Sequence, residues 1–323
     1  MAGNPRGNEV IDIAVRPAKV VTPRPKRWRR QAYKAVLGWI SVFAAAVIRF
    51  LGPGIALRLG RSGGLIGWHL RAADRRVALE NLALAFPEKS EDERRRIARE
   101  SFARVGMCAL EWVACARHDR WIAETVLEGR EHVDAALAKK AGAIWVNAHV
   151  GNWELSAAAT AKAGYPCGVI ATTVRYPRVN KLSIDERARN GVVTIERDTP
   201  ASGRELLKFF RRKDAALGIL LDHDNNTPSV QVDFFGKPAW TAMGVAELSI
   251  RFGAPVVSGF FVRDPDGRRR VPVAPPIFPP ENVPKSEQLR VVRDLTQQYT
   301  KRIEDHIRAH PQDWAWMHRR WKP

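Results

Sequence analysis

Cysteine is scarce in this 323-residue chain. Cys108, Cys115 and Cys167 are odd in number and show no C-x-x-C spacing, which argues against a disulfide framework and gives no zinc signature. They read as small buried thiols of a protein kept in a reducing compartment. Acidic residues are missing over a long stretch: none occurs between Asp12 and Asp74, where Arg16, Lys19, Arg24, Lys26, Arg27, Arg29, Arg30, Lys34, Arg49, Arg58, Arg61 and Arg71 all lie. The chargeless segment from Ala35 to Ile48 is shorter than the ~20 residues that span a hydrocarbon core. It reaches that length only by passing Arg49 and continuing to Leu57. No small-residue cleavage site follows cleanly, which argues against a removed signal peptide, and no internal repeat is present.

What is there bounds the rest. A hydrophobic content of 45% is enough to bury a core and excludes disorder throughout. A formal charge of +19 and a pI near 10.5 call for a polyanionic partner: nucleic acid, an acidic membrane surface or an acidic carrier protein. Residues 1–33, rich in Pro, Gly and Arg, are expected to form a basic, disordered arm. Residues 34–60 are expected to anchor the chain to a membrane, either spanning it or lying in its interface, with the arginines held to anionic lipid.

From there to the end, residues 61–323 read as one domain. Its lead-in, 61–140, is helical: Ser90 caps Glu91–Glu100, and Phe102, Val105 and Ala109 continue one face. In 141–323 short apolar runs alternate with helical stretches. Strands are expected at 143–148, 168–174, 192–195, 216–221 and 255–262. Helices are expected near 155–163, 179–190, 202–212, 245–252 and 286–310, with an irregular Pro-rich stretch at 263–280. The fold class is therefore α/β, a mainly parallel central sheet flanked by helices, with an N-terminal membrane-associated helix and a helical lead-in.

The sharpest local feature is Ile144-Trp-Val-Asn-Ala-His149-Val-Gly-Asn-Trp-Glu154. An apolar strand runs into His149, Gly151 and Asn152 turn the chain, and a helix opens at Glu154. The C-terminal edge of a parallel sheet is where ligands bind, so His149 is expected to face substrate. Gly151 permits positive φ or a close backbone approach, and Asn152 is a good N-cap. Glu154 is expected to accept a hydrogen bond from one imidazole nitrogen, leaving the other to take a proton. That makes a base with its orienter, and the nucleophile can be the substrate's own hydroxyl. A capped helix beside an incidental histidine would give the same pattern.

Several blocks in order carry a resemblance. His149-Val-Gly-Asn-Trp-Glu154 resembles the H-x4-[D/E] motif of lysophospholipid-type acyltransferases, in the form found in the bacterial lipid A late acyltransferases, the lauroyl and myristoyl transferases. Asn81-Leu-Ala-Leu-Ala-Phe86-Pro87, Glu93-Arg with Ile97, Thr173-Val-Arg175-Tyr-Pro, Leu221-Asp222-His-Asp224, Val232-Asp-Phe234-Phe235-Gly236 through Thr241 to Gly244, and Trp316-Met-His318-Arg-Arg-Trp-Lys are similar to its other blocks. The likeness runs over about residues 35–322. It implies transfer of an acyl chain from acyl carrier protein, or acyl-CoA, to a hydroxyl of a lipid A precursor in lipopolysaccharide biosynthesis. The reaction would take place at the cytoplasmic face of the bacterial inner membrane, with no cofactor, no metal and no acyl-enzyme.

The resemblance makes His149 and Glu154 catalytic. It makes Arg175, Gly151, Asn152, Asp222, Phe235, Gly236 and Thr241 substrate-binding, with Arg175 or donors near Gly151–Trp153 stabilising the oxyanion. Another glycolipid or a lysophospholipid is the alternative acceptor. Basic charge suits all three expected partners: acyl carrier protein, the anionic glycolipid and the membrane surface. A metallohydrolase would draw on His149, Glu154, Asp222, His223 and Asp224, whose spacing matches no zinc signature. A nucleic-acid binder would share the charge, but no binding motif occurs.

Overall fold

A computed structural model describes residues 13–18, 28–174, 176–197, 199–225 and 227–322. A short strand β1 (Val15–Arg16) precedes a helical layer: α1 (Trp28–Leu51), α2 (Pro53–Leu70), α3 (Ala72–Ala85), α4 (Glu91–Cys115) and α5 (Arg120–Ala123). Next come β2 (Val126–Glu128), α6 (Arg130–Leu137), β3 (Ala143–Asn147), α7 (Trp153–Lys162), β4 (Cys167–Ala171), α8 (Pro177–Arg189), β5 (Val192–Glu196), α9 (Ser202–Phe210) and β6 (Ala216–Leu220). The chain closes with β7 (Ser229–Phe234), β8 (Lys237–Ala242), α10 (Gly244–Phe252), β9 (Val256–Gly259), β10 (Val262–Arg263), β11 (Arg269–Ile277) and α11 (Gln288–Ala309).

The main sheet has the order β10-β11-β9-β3-β6-β4-β5, with β2 added beside β11. Strands β9, β3, β6, β4 and β5 run parallel, as expected of apolar runs buried on both faces. All five residues of β3 are buried. One hydrophobic cluster joins this sheet to α3, α4, α9, α10 and α11; a second lies on the other face with α6 and α7. In the lead-in, Ser90 accepts from the Glu93 amide while Glu93 accepts from the Ser90 amide, a capping box worth about 1 kcal/mol.

Three stretches differ from expectation. Prolines at 263–280 suggested irregular chain, yet β11 pairs antiparallel with β9; its register shifts between Ala274 and Ile277, where Pro275 and Pro276 cost no ladder bond. Residues 229–242 form the hairpin β7–β8, turned by Phe235 and Gly236 with φ of 58° and 71°, the two successive positive values of a tight hairpin turn. Within the arm expected to be disordered, Val15 and Arg16 pair with Val230 and Ser229 of β7. The backbone donors and acceptors on β7's free edge supply the order that composition could not reveal.

No described helix is long and apolar enough to cross a membrane. Residues 34–60, the expected anchor, fall on α1 and α2, which lie against the domain, α1 packing on α4 and α8. Trp39, Ile40, Phe43, Phe50, Ile55 and Leu59 project outward. Arg49, which interrupts the apolar segment, turns inward to Glu186 of α8 at 3.2 Å.

Candidate functional site

His149 and Asp222 meet because of register. Asn147 pairs with Leu220 across β3 and β6, and each partner is followed two residues later by one of the pair, so both emerge side by side at the C-terminal edge of the sheet. The His149 Nδ1–H donates to Asp222 Oδ1 at 2.9 Å, and the His149 backbone N–H to Oδ2 at 3.0 Å. The Trp314 indole N–H also donates to Oδ2, at 2.7 Å. Burial alone would raise the Asp222 carboxyl, but the imidazoles of His149 and His223 and the hydrogen bonds from His149 and Trp314 hold it far below the usual carboxylate range. A carboxylate with no proton can only accept, so Nδ1 carries the hydrogen and Nε2 is left with a lone pair.

This corrects the expected pairing. Glu154 does not hydrogen-bond the histidine: at the second position of α7 it meets Arg187 of α8, accepting from Nε at 2.8 Å and Nη2 at 2.5 Å. A side chain in the first turn of a helix leans toward that helix's N-terminal end, and Arg187 crosses there, a partner with no signal in the local sequence. Glu154, Arg187 and His149 nonetheless line one cavity of about 520 Å³, together with Trp153, His223, Arg197 and Leu221.

Gly151 and Asn152 build the turn and do not line the cavity. Gly151 has φ 53°; a Cβ there would meet the Phe261 carbonyl oxygen at 2.6 Å, and its N–H is spent on the Asp313 carbonyl, so it is no oxyanion donor. Asn152 Oδ1 caps α7 by accepting from Leu155 N–H, while its Nδ2 donates to buried Glu111. Arg263 and Arg269 neutralise Glu111, so a buried ion network holds the cap behind the catalytic edge.

Of the remaining expected binding residues, Phe235 is core and Gly236 is the hairpin turn. Thr241 is fully buried and accepts from Arg320; none of the three lines the cavity. All belong to the frame, because the block that contains them is a hairpin packed on the tail. Arg175 lies outside the described residues. Asp224, beside the site, pairs with Arg16 of β1 and with Lys322. The aromatic tail is packed rather than exposed: Trp314 and Trp316 have no exposed surface.

Two residues flank the base: His223, weighed in the sequence only as a ligand of a metallohydrolase, and His318, given no role there. The His223 ring stacks on His149 with centroids 3.7 Å apart and planes 4° apart, and His318 sits 4.0 Å from His223. Burial pushes the His223 imidazole down to about 3, so it is a neutral platform. His149, Asp222 and His223 bring ligand atoms within 4.8 Å of one another. However, nearly parallel rings direct their in-plane lone pairs side by side instead of at a common point. Cys167 also lines the cavity, but burial raises its thiol to about 12, which disqualifies it as a nucleophile.

A buried carboxylate, an imidazole with one free nitrogen, and an adjoining cavity can deprotonate an alcohol. Comparison with known proteins narrows the class. Residues 24–323 match the family model described as bacterial lipid A biosynthesis acyltransferase. The chain is similar to a lipid A biosynthesis lauroyltransferase of Escherichia coli K12, 28% identical over 290 residues covering 88% of this chain and 91% of that protein. It is also similar to a phosphatidylinositol mannoside acyltransferase of Mycobacterium tuberculosis H37Rv, 25% identical over 203 residues, 61% of this chain and 60% of the relative.

Proposed function

The chain is an acyltransferase belonging to the bacterial lipid A biosynthesis acyltransferase family, and we propose that it moves an acyl chain from a thioester of acyl carrier protein or coenzyme A to a hydroxyl of a lipid A precursor. The observation that carries this reading is the His149–Asp222 pair, buried Asp222 holding a histidine that lines a largely apolar cavity.

His149 Nε2 takes the proton of the acceptor hydroxyl as its oxygen attacks the thioester carbonyl carbon. The buried Asp222 carboxylate stabilises the imidazolium. Collapse of the tetrahedral intermediate breaks the carbon–sulfur bond, and the imidazolium proton goes to the departing thiolate. No acyl-enzyme is required. The first-turn N–H groups of Trp153 and Glu154, which have no place in α7's own ladder, are our candidates for the oxyanion. Glu154 serves catalysis by fixing Arg187 on the cavity wall, where the guanidinium meets phosphate or the polar end of the donor.

The apolar outer face of α1 and α2 lies in the headgroup region of the inner membrane's cytoplasmic leaflet, its arginines on anionic lipid. This holds the enzyme at the surface that carries its lipid acceptor. The test is purified enzyme with acyl carrier proteins or coenzyme A loaded with defined chains and a panel of acceptors, including a lipid A precursor and a mannosylated phosphatidylinositol, read by mass spectrometry. Acylated lipid A precursor from wild type, and none from His149→Ala, is expected. Normal acylation by His149→Ala would refute the mechanism, and acylation of the mannoside alone would refute the acceptor.

A further inference from the structure

The cavity at His149 is not confined to one face of the sheet. Register sets Trp145, Gly218 and Val169 side by side on β3, β6 and β4. Adjacent residues along a strand point to opposite faces, so Ile219 and Ile170 look the other way. The clusters agree: Trp145 packs with Leu155 and Ala158 of α7, whereas Ile170 and Ile219 pack with Val245 and Leu248 of α10. Trp145, Val169 and Gly218 line the same cavity as Ile170 and Ile219. It therefore wraps the sheet's C-terminal edge, one arm beneath α7 and one beneath α10, joined at His149 and His223.

The arms differ in chemistry. The α7 arm includes Asn147, Ser156 and Thr160, while Ile170, Ile219, Ala242, Val245 and Leu248 give the α10 arm a hydrocarbon wall, with Glu247 the one charged residue that α10 adds to the lining. Gly244 opens α10 one turn before Leu248, on the same helix face, and it too lines the cavity. A Cβ built on Gly244 meets nothing within 4 Å, and its φ lies outside the range that demands glycine. Neither crowding nor backbone strain accounts for glycine here; what its missing side chain provides is room in the cavity.

We propose that the α10 arm receives the acyl chain of the thioester donor, and that Gly244 sets the longest chain it accepts. This rests on the acyl-transfer reading of the same site. A leucine at 244 would fill the space of a few methylenes, and each methylene excluded from an apolar site weakens binding about 4-fold, the equivalent of about 0.8 kcal/mol.

The test compares wild type, Gly244→Ala, Gly244→Leu and Ala157→Leu, the last placing bulk in the α7 arm, whose wall includes Ala157. Each is given a lipid A precursor as acceptor and an equimolar mixture of decanoyl-, dodecanoyl-, tetradecanoyl- and hexadecanoyl-CoA. Thioester consumption is followed by mass spectrometry, and binding of each thioester separately by tryptophan fluorescence. Gly244→Leu is expected to move the preferred chain two to four carbons shorter, a loss on the order of 15- to 250-fold for the wild-type optimum against the shortest chain. Gly244→Ala should move it less, in the same direction, which keeps the test alive if the leucine variant fails to fold. Ala157→Leu should leave the order of preference unchanged. An unshifted preference in both Gly244 variants, a shift in Ala157→Leu instead, or no binding of any thioester by wild type would overturn the assignment. A shifted binding profile without transfer to any lipid would leave it standing and refute the acyl-transfer reading alone.

Discussion

Replacing Asp222 by Asn separates the resting geometry from the motif-based expectation that Glu154 serves the imidazole. Asp222 accepts on Oδ2 from the His149 backbone N–H and the Trp314 indole, and on Oδ1 from His149 Nδ1. An asparagine keeps its one carbonyl where two fixed donors point, so its amide nitrogen faces Nδ1. That N–H can be accepted only if Nδ1 is unprotonated, which moves the ring hydrogen to Nε2, the atom that must take the substrate's proton. The imidazolium also loses its counter-charge. Two unit charges about 4 Å apart interact by about 4 kcal/mol at an effective dielectric of ~20, and each 1.36 kcal/mol is tenfold in rate. Loss of kcat on the order of 10³-fold is therefore expected, with donor affinity nearly unchanged. The assay is steady-state thioester consumption with acceptor present, supported by a fluorescence-monitored urea midpoint to show that the variant folds. Glu154→Gln, which keeps its shape but weakens the grip on Arg187, should raise KM for the phosphorylated acceptor more than it lowers kcat. If Asp222→Asn retained a tenth or more of wild-type kcat while Glu154→Gln lost three orders of magnitude, Glu154 would be the working partner of His149 and the reasoning would fail.

Three further outcomes follow from the packing. Burial depresses the imidazoles of His223 and His306 to about 3 and lowers that of His318. The unfolded chain therefore binds more protons than the native one below about pH 6.5, and stability falls as pH drops from there toward 3, by up to about 1.4 kcal/mol per pH unit for each such group. Urea midpoints measured between pH 7 and 4.5 should show this slope, and His306→Leu should flatten it; an unaltered slope would refute the burial argument. Arg16→Ala leaves buried Asp224 with Lys322 alone, and should cost about 1–3 kcal/mol in the urea midpoint, as should deleting residues 1–17; no loss would mean that β1 adds nothing. Phe43→Ser with Phe50→Ser, on the outward face of α1, should weaken co-sedimentation with anionic vesicles at least 10-fold, since each buried aromatic contributes about 1.5–3 kcal/mol; unchanged binding would put the membrane contact elsewhere.

What the sequence made legible was local. The run Ile144–Glu154 announced a strand, a turn and a helix because periodicity, Gly151 and the Asn152 cap act within a few residues of one another, and the cap is indeed made to Leu155. The five parallel strands were legible for the same reason: each is a short apolar run between helical stretches. Contacts between distant segments were not. Asp222 is 73 positions from His149, and nothing near either residue says that β6 will lie beside β3. Once it does, the register Asn147 to Leu220 forces the two side chains together, so the usable clue was that two apolar strands each carry a polar ligand-type residue just past their ends. Glu154 was assigned to the nearest partner in sequence, whereas Arg187, on the next crossover helix, was the nearest in space. Arg49 misled for a related reason. A charge in an apolar run reads as an interruption until Glu186 on α8 gives it an inward partner, after which the outward face of α1 from Trp39 to Leu51 stays apolar. In each case the residue type was visible, and its meaning depended on which element the fold placed opposite it.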